Sequence, residues 1–194
     1  MHLINVPSFK INEYLVPEFS IEKGKMLRFW VEIIPKNNSD TDGYLVQKLI
    51  QKQIVNNFTK HKELKMFSCP DKIKVGFFDF LNPMSVDDYL KNKIDLDETK
   101  VAQILSFFTI KPHYIIRKMG YKDQKIFSII SSIESNDVVL LDFYGFSPQN
   151  EKALTNYLLA KLKEGKALIT FDNLYFKEKG SKNIFIEDIN IIRS

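Results

Sequence analysis

An α/β fold built on a mostly parallel sheet is what this sequence predicts, and residues 137 to 173 predict it most strongly. Val138-Val139-Leu140-Leu141 is an unalternated apolar run, the pattern of a strand buried on both faces, and Asp142 closes it. Ser147-Pro148 reads as a helix N-cap followed by proline at the first helical position. Ala153, Leu154, Tyr157, Leu158 and Leu162 recur at helical spacing, and Lys161 and Lys163 suit the negative end of that helix's dipole. Gly165 supplies a left-handed stop, and Ala167-Leu168-Ile169-Thr170 is a second buried strand. Such a strand-helix-strand unit makes a right-handed crossover between parallel strands. It also places Asp142 at a strand's carboxyl end, where ligands of open α/β sheets bind. Strands joined by tight turns near the start add an N-terminal antiparallel β part.

The composition sets the limits of function. A chain of 194 residues with 44% hydrophobic and 27% charged residues has an ordinary globular balance. At that length it buries about 70% of its unfolded surface. No apolar run approaches the ~20 residues of a membrane span, and the first residues lack a signal-peptide layout, so a cytoplasmic protein is expected. Cys69 is the single cysteine, which excludes an intrachain disulfide. The net charge of +4 comes from scattered lysines, which reads as a solvated surface and not a nucleic-acid track. Sixteen phenylalanines imply a large aromatic core or a hydrophobic partner surface.

In chain order, residues 3 to 34 read as strands joined by turns, with Gly24 at a tight turn and Met26 to Ile34 as a central strand. Residues 35 to 44 form a polar loop containing Asn37, Asn38, Ser39, Asp40 and Asp42, with one glycine, Gly43. A helix from Tyr44 to Phe58 is expected to bury Leu45, Leu49 and Ile50. His61 lies in a short basic run, Lys60 to Lys65, read as a solvated turn. Ser85 should cap a helix with Asp87 and Asp88 in its first turn, which accounts for those acids without catalysis. Asp95 and Glu98 read as a second capping box before a helix whose buried stripe is Val101, Ile104, Leu105 and Phe108, ending at Pro112. Serines 128, 131, 132 and 135 fall on a later helix as packing groups. The tail after Asn173 alternates and reads as a hairpin across Gly180-Ser181, covering one sheet edge. His2, His61 and His113 lack metal-ligand spacing, and no metal site is expected.

Several of these phrases, in this order, resemble the ATP-binding domain of ABC transporters, a P-loop NTPase. FSIEKGKMLRFWVEI resembles the strand entering the Walker A loop, and KVGFF with SVDDYL resembles the Gln-loop region and the helix after it. KMGYKDQK falls at the LSGGQ signature, VVLLD at Walker B, and KEGKALIT with FDN at the switch-histidine strand. The resemblance implies a single domain over residues 1 to 194, with a helical lobe at about 83 to 134. It also implies a site from which the chemistry has gone. A P-loop needs glycines, a lysine and a Ser/Thr hydroxyl, yet no GK[ST] occurs and Asp42 and Gly43 stand near that position. Asp79 or Phe80 replaces the Gln-loop glutamine. Matching Gln124 to the last signature residue puts Tyr121 at its serine and Asp123 at a glycine. Phe143 replaces the catalytic glutamate and Phe171 the switch histidine. Asp142 alone remains, read as a strand-end carboxylate hydrogen-bonded to loop amides.

The expectation is a non-catalytic ABC-ATPase-like protein acting through protein contacts. Its partner would be a membrane permease, an active ABC ATPase subunit or a second copy of itself, at the inner face of the membrane. No catalytic residue, nucleotide, metal or cofactor is expected under this reading. Two others stand beside it: an ATP- and magnesium-dependent hydrolase built on Lys36, Asp40 and Asp142, and a scaffold with no tie to transport.

Overall fold

The computed structural model describes residues 2–32, 41–58, 65–73, 82–146, 148–173 and 185–193. The chain divides into two compact units, one of Met1–Ser68 with Asn136–Ser194 and one of Cys69–Ser135.

The larger unit carries the sheets. Strands β1 (His2–Val6) and β4 (Phe19–Glu22) form an antiparallel pair. The second sheet has seven strands: β2 (Phe9–Ile11), β3 (Tyr14–Val16), β9 (Ile186–Arg193), β5 (Met26–Val31), β8 (Ala167–Asn173), β7 (Val138–Asp142) and β6 (Met66–Ser68), in that spatial order. The run from β9 to β6 is parallel, and β2, β3 and β9 join antiparallel. This is the mostly parallel sheet with an antiparallel part that the sequence predicts.

The apolar runs explain the strand order. Every residue of β7 is buried, and so are Ala167 to Phe171 of β8. Strands so apolar on both faces are at ease only inside a sheet. β7 and β8 pair in register, Leu140 with Ile169 and Leu141 with Thr170. Between them in sequence runs helix α5 (Pro148–Lys163), which buries Leu154, Tyr157, Leu158 and Leu162. Ser147, its expected cap, lies outside the described residues. Gly165 (φ +91°) ends α5. Its N–H reaches Leu162 O at 2.9 Å and the Lys166 N–H reaches Lys161 O at 3.2 Å, which satisfies the last carbonyls.

One sheet face packs on helix α1 (Thr41–Phe58) through a core containing Ile50, Ile54, Phe29, Leu140, Ile169 and Ile191. Phe29 lies edge-on to Phe19 (4.9 Å) and to Phe171 (5.3 Å), so part of the phenylalanine excess is core. The expectation for α1 is corrected in one respect. Ile50 is buried, but Leu45 and Leu49 are 56% and 46% exposed. The buried stripe is Gln47, Ile50, Gln51 and Ile54. Gln51 Oε1 accepts from Ser68 Oγ of β6 at 2.9 Å, while its Nε2 is buried with no hydrogen-bond partner among the described residues. β6 itself is an element the sequence reading passes over. β9 borders β5 on the side away from β8 and runs on to β3, so its pairings join the parallel to the antiparallel strands. The turn at Gly180-Ser181 lies outside the described residues.

The smaller unit holds helices α2 (Val86–Asn92), α3 (Glu98–Phe108) and α4 (Tyr121–Ser135), with a 3₁₀ turn at Ile116–Lys118. Ser85 caps α2 by accepting from the Asp88 N–H at 3.1 Å, as its sequence predicts. The α3 cap is Asp97, accepting from the Lys100 N–H at 2.9 Å, and not Asp95, which takes a left-handed turn conformation (φ +62°). α3 buries Val101, Ile104 and Leu105, while Phe108 is half-buried. It stops at left-handed Thr109, three residues before Pro112.

Candidate functional site

β7 ends in a carboxylate because the apolar run stops at Asp142, and the parallel sheet sets that end at a ligand-binding edge. Alternation along β7 turns Asp142 to the same face as Leu140, toward α1. The side chain is 1% exposed, and Oδ2 lies 2.9 Å from Lys48 Nζ of α1. Oδ1 accepts from the Tyr144 N–H at 3.1 Å. The expected loop-amide hydrogen bond is therefore present, and a lysine the sequence reading did not single out has joined it. The Tyr44 ring stacks at a tilt on Tyr144 (5.1 Å, 38°), and Lys48 Nζ stands 5.4 Å from the Tyr44 ring centre. Lys48 is seven residues past the start of α1, about 10 Å along its axis, and so lies well beyond the helix's N-terminal amides.

The opposite sheet face carries a second charged group. Arg28 of β5 pairs with Asp172 of β8 at 2.6 Å and with Glu151 of α5 at 3.4 Å. Its guanidinium lies 4.4 Å from the Trp30 ring centre and 6.0 Å from that of Phe143. The Trp30 indole N–H donates to Asp188 of β9 at 2.8 Å. This group ties β5, β8, β9 and α5 together, with three carboxylates gathered about one guanidinium and its neighbouring indole.

The other expected positions fall in different surroundings. Phe143 is buried beside Arg28. Phe171 is not at a strand end: β8 runs on through Asn173, and the ring fills the core against Phe29. Asp42 and Gly43 lie in the first turn of α1, and their surroundings are outside the described residues. So are Lys36, Asp40, His61, Asp79 and Phe80. Tyr121 and Asp123 belong to the smaller unit, in the first turn of α4. Tyr121 is 45% exposed with Lys72 Nζ 5.7 Å from its ring, and Asp123 is exposed.

Groups that resemble catalytic sets in sequence have structural partners. Asp87 pairs with Lys91 at 3.0 Å, and that hydrogen bond holds the Lys91 ammonium pKa above its usual value. Ser85 Oγ and Asp88 hydrogen-bond at 2.6 Å. Ser131, Ser132 and Ser135 donate to carbonyls four residues back, and Ser128 donates to Pro70 O at 2.6 Å. Cys69 is buried, with Ser128 Oγ and Ser132 Oγ each 3.5 Å from its sulfur. Among the described residues no three His, Cys, Asp or Glu side chains converge on one point.

The mostly parallel sheet joined to antiparallel strands matches ABC-ATPase-like folds. The chain is similar to a Pyrococcus furiosus protein assigned as an ABC transporter ATP-binding protein. That match has TM-score 0.63 and 17% identity, and covers 93% of this chain and 92% of the other. It is similar also to an ATP-binding cassette of an ABC transporter in its ADP conformation, with TM-score 0.52, 12% identity and coverage of 100% and 92%. An archaeal ribosome recycling factor in complex with the ribosomal stalk protein matches at TM-score 0.58 and 15% identity. There 88% of this chain corresponds to 34% of the longer one. No protein-family profile and no curated protein sequence matches the chain.

Proposed function

We propose that this chain is a non-catalytic ABC-ATPase-like protein that works through protein–protein contacts, as an accessory or pseudo-ATPase subunit. The observation that carries the reading is the state of Asp142. The one acid kept from the expected site already receives an ammonium and a backbone N–H, and its side chain is almost wholly removed from water. Phosphoryl transfer depends on positioning and on stabilising charge that develops in the transition state. A carboxylate neutralised by its own chain's lysine is poorly placed to hold a magnesium–nucleotide complex. The sequence without GK[ST] points the same way.

The partner under this reading is a permease, an active ABC ATPase subunit or a second copy, met in the cytoplasm at the membrane's inner face. Among the described residues no helix is long and apolar enough to cross a membrane. The recycling factor of similar fold is in complex with a ribosomal stalk protein, which supports partner binding as a use of this fold outside transport. Isothermal titration with Mg-ATP is expected to give no binding heat. Micromolar affinity, or ATP turnover lost in Asp142→Asn, would overturn the proposal in favour of a hydrolase. Co-purification from native membranes should bring a polytopic protein with the chain; its absence would favour a scaffold unrelated to transport.

A further inference from the structure

Two residues of α1 and two at the end of β7 meet in pairs. Tyr44 and Lys48 are four apart, so they stand on neighbouring turns of one helix face. Asp142 and Tyr144 are two apart where the chain leaves the sheet. Lys48 reaches Asp142 at 2.9 Å, and the Tyr44 ring reaches the Tyr144 ring at 5.1 Å. The two remaining sides of this square are closed as well. The Tyr144 N–H donates to Asp142 at 3.1 Å, and Lys48 Nζ is 5.4 Å from the Tyr44 ring centre. An ion pair, a backbone-to-side-chain hydrogen bond, a ring contact and a cation–ring contact thus run round four residues in turn.

We infer that Tyr44, Lys48, Asp142 and Tyr144 form a latch that fastens α1 to the loop after β7 and keeps that end of the sheet shut. The links support one another. The Tyr144 N–H turns the carboxylate toward Lys48, and the held loop presents the Tyr144 ring to Tyr44. Because Asp142 is almost fully buried, salt screens the ion pair little. Removing the ammonium leaves a buried charge without that counter-charge. The carboxylate then gains by turning toward water, and the loop that carries Tyr144 turns with it. The latch concerns the nucleotide-free chain and holds whether or not the proposed protein partner exists.

Hydrogen exchange read by mass spectrometry on the full chain, without nucleotide, tests it. Lys48→Met should speed exchange at the amides of residues 144 to 146 by about tenfold, and Tyr44→Ala should speed the same amides. Amides of β5 and β8 should keep their wild-type protection in both variants. Where Lys48→Met does not fold, Lys48→Met with Asp142→Asn removes both charges. That pair should restore the β5 and β8 protection while residues 144 to 146 stay fast. The latch is overturned if residues 144 to 146 exchange at the wild-type rate in Lys48→Met or in the paired variant. It is equally overturned if β5 and β8 accelerate as much as the loop, since that is general loosening of the fold.

Discussion

Phe171 shows how one residue changes meaning once its neighbours are known. In sequence it stands where a loop histidine is expected; in the fold its ring is 1% exposed and edge-on to Phe29. Phe171→Ala should therefore cost about 3–5 kcal/mol of stability in urea unfolding, the range for truncating a buried aromatic. A loop residue would cost a few tenths. Tyr89 gives the pH dependence. Burial raises its hydroxyl pKa above the usual value of 10.0, and its ring lies 5.5 Å from Phe127. The folded chain then keeps a proton that the unfolded chain has released, so Tyr89 contributes stability below pH 10 that is lost as pH rises through the folded value. Urea unfolding of wild type should weaken between pH 9 and pH 11 more than that of Tyr89→Phe. Equal weakening in both would refute it.

At the scale of elements, caps and turns carry the testable detail. The sequence reading places the α3 cap at Asp95, and the structure corrects it to Asp97, two residues on. Asp97→Ala should lower stability by about 1 kcal/mol, and Asp95→Ala should leave the α3 cap intact. The turn from β4 to β5 depends on Gly24, whose φ of +74° favours glycine. A Cβ there would also meet Leu162 O at 3.3 Å. Gly24→Ala should cost about 1 kcal/mol or more, measured by thermal unfolding. The helix α1 was harder to read. Leu45 and Leu49 drew the expected buried face toward themselves, because the two glutamines on the true face, Gln47 and Gln51, count as polar in sequence although the fold buries them. Gln51 Oε1 is met by Ser68, a residue of the unpredicted three-residue strand β6, and a strand that short leaves almost no periodic signal.

For the whole molecule, the seven-stranded order joins a parallel block to an antiparallel one through β9, and the similar structures share that ABC-ATPase-like fold. What such a fold does depends on the groups at the carboxyl ends of its strands. Here Asp142 at the end of β7 pairs with Lys48 on one face, and Asp172 near the end of β8 pairs with Arg28 on the other. Neutral binding heat with Mg-ATP is the expected consequence at this scale.

The sequence by itself determined the strand-helix-strand unit from β7 to β8, its glycine stop and the Asp142 strand end. Long apolar runs, helical spacing and a left-handed glycine are local signals that need no distant partner. Only the tertiary structure decided which way α1 turns, that Phe171 is core, and that Lys48 closes on an acid 94 positions further along the chain. Those outcomes depend on residues brought together by sheet pairing, and pairing between distant segments leaves no mark in either segment alone.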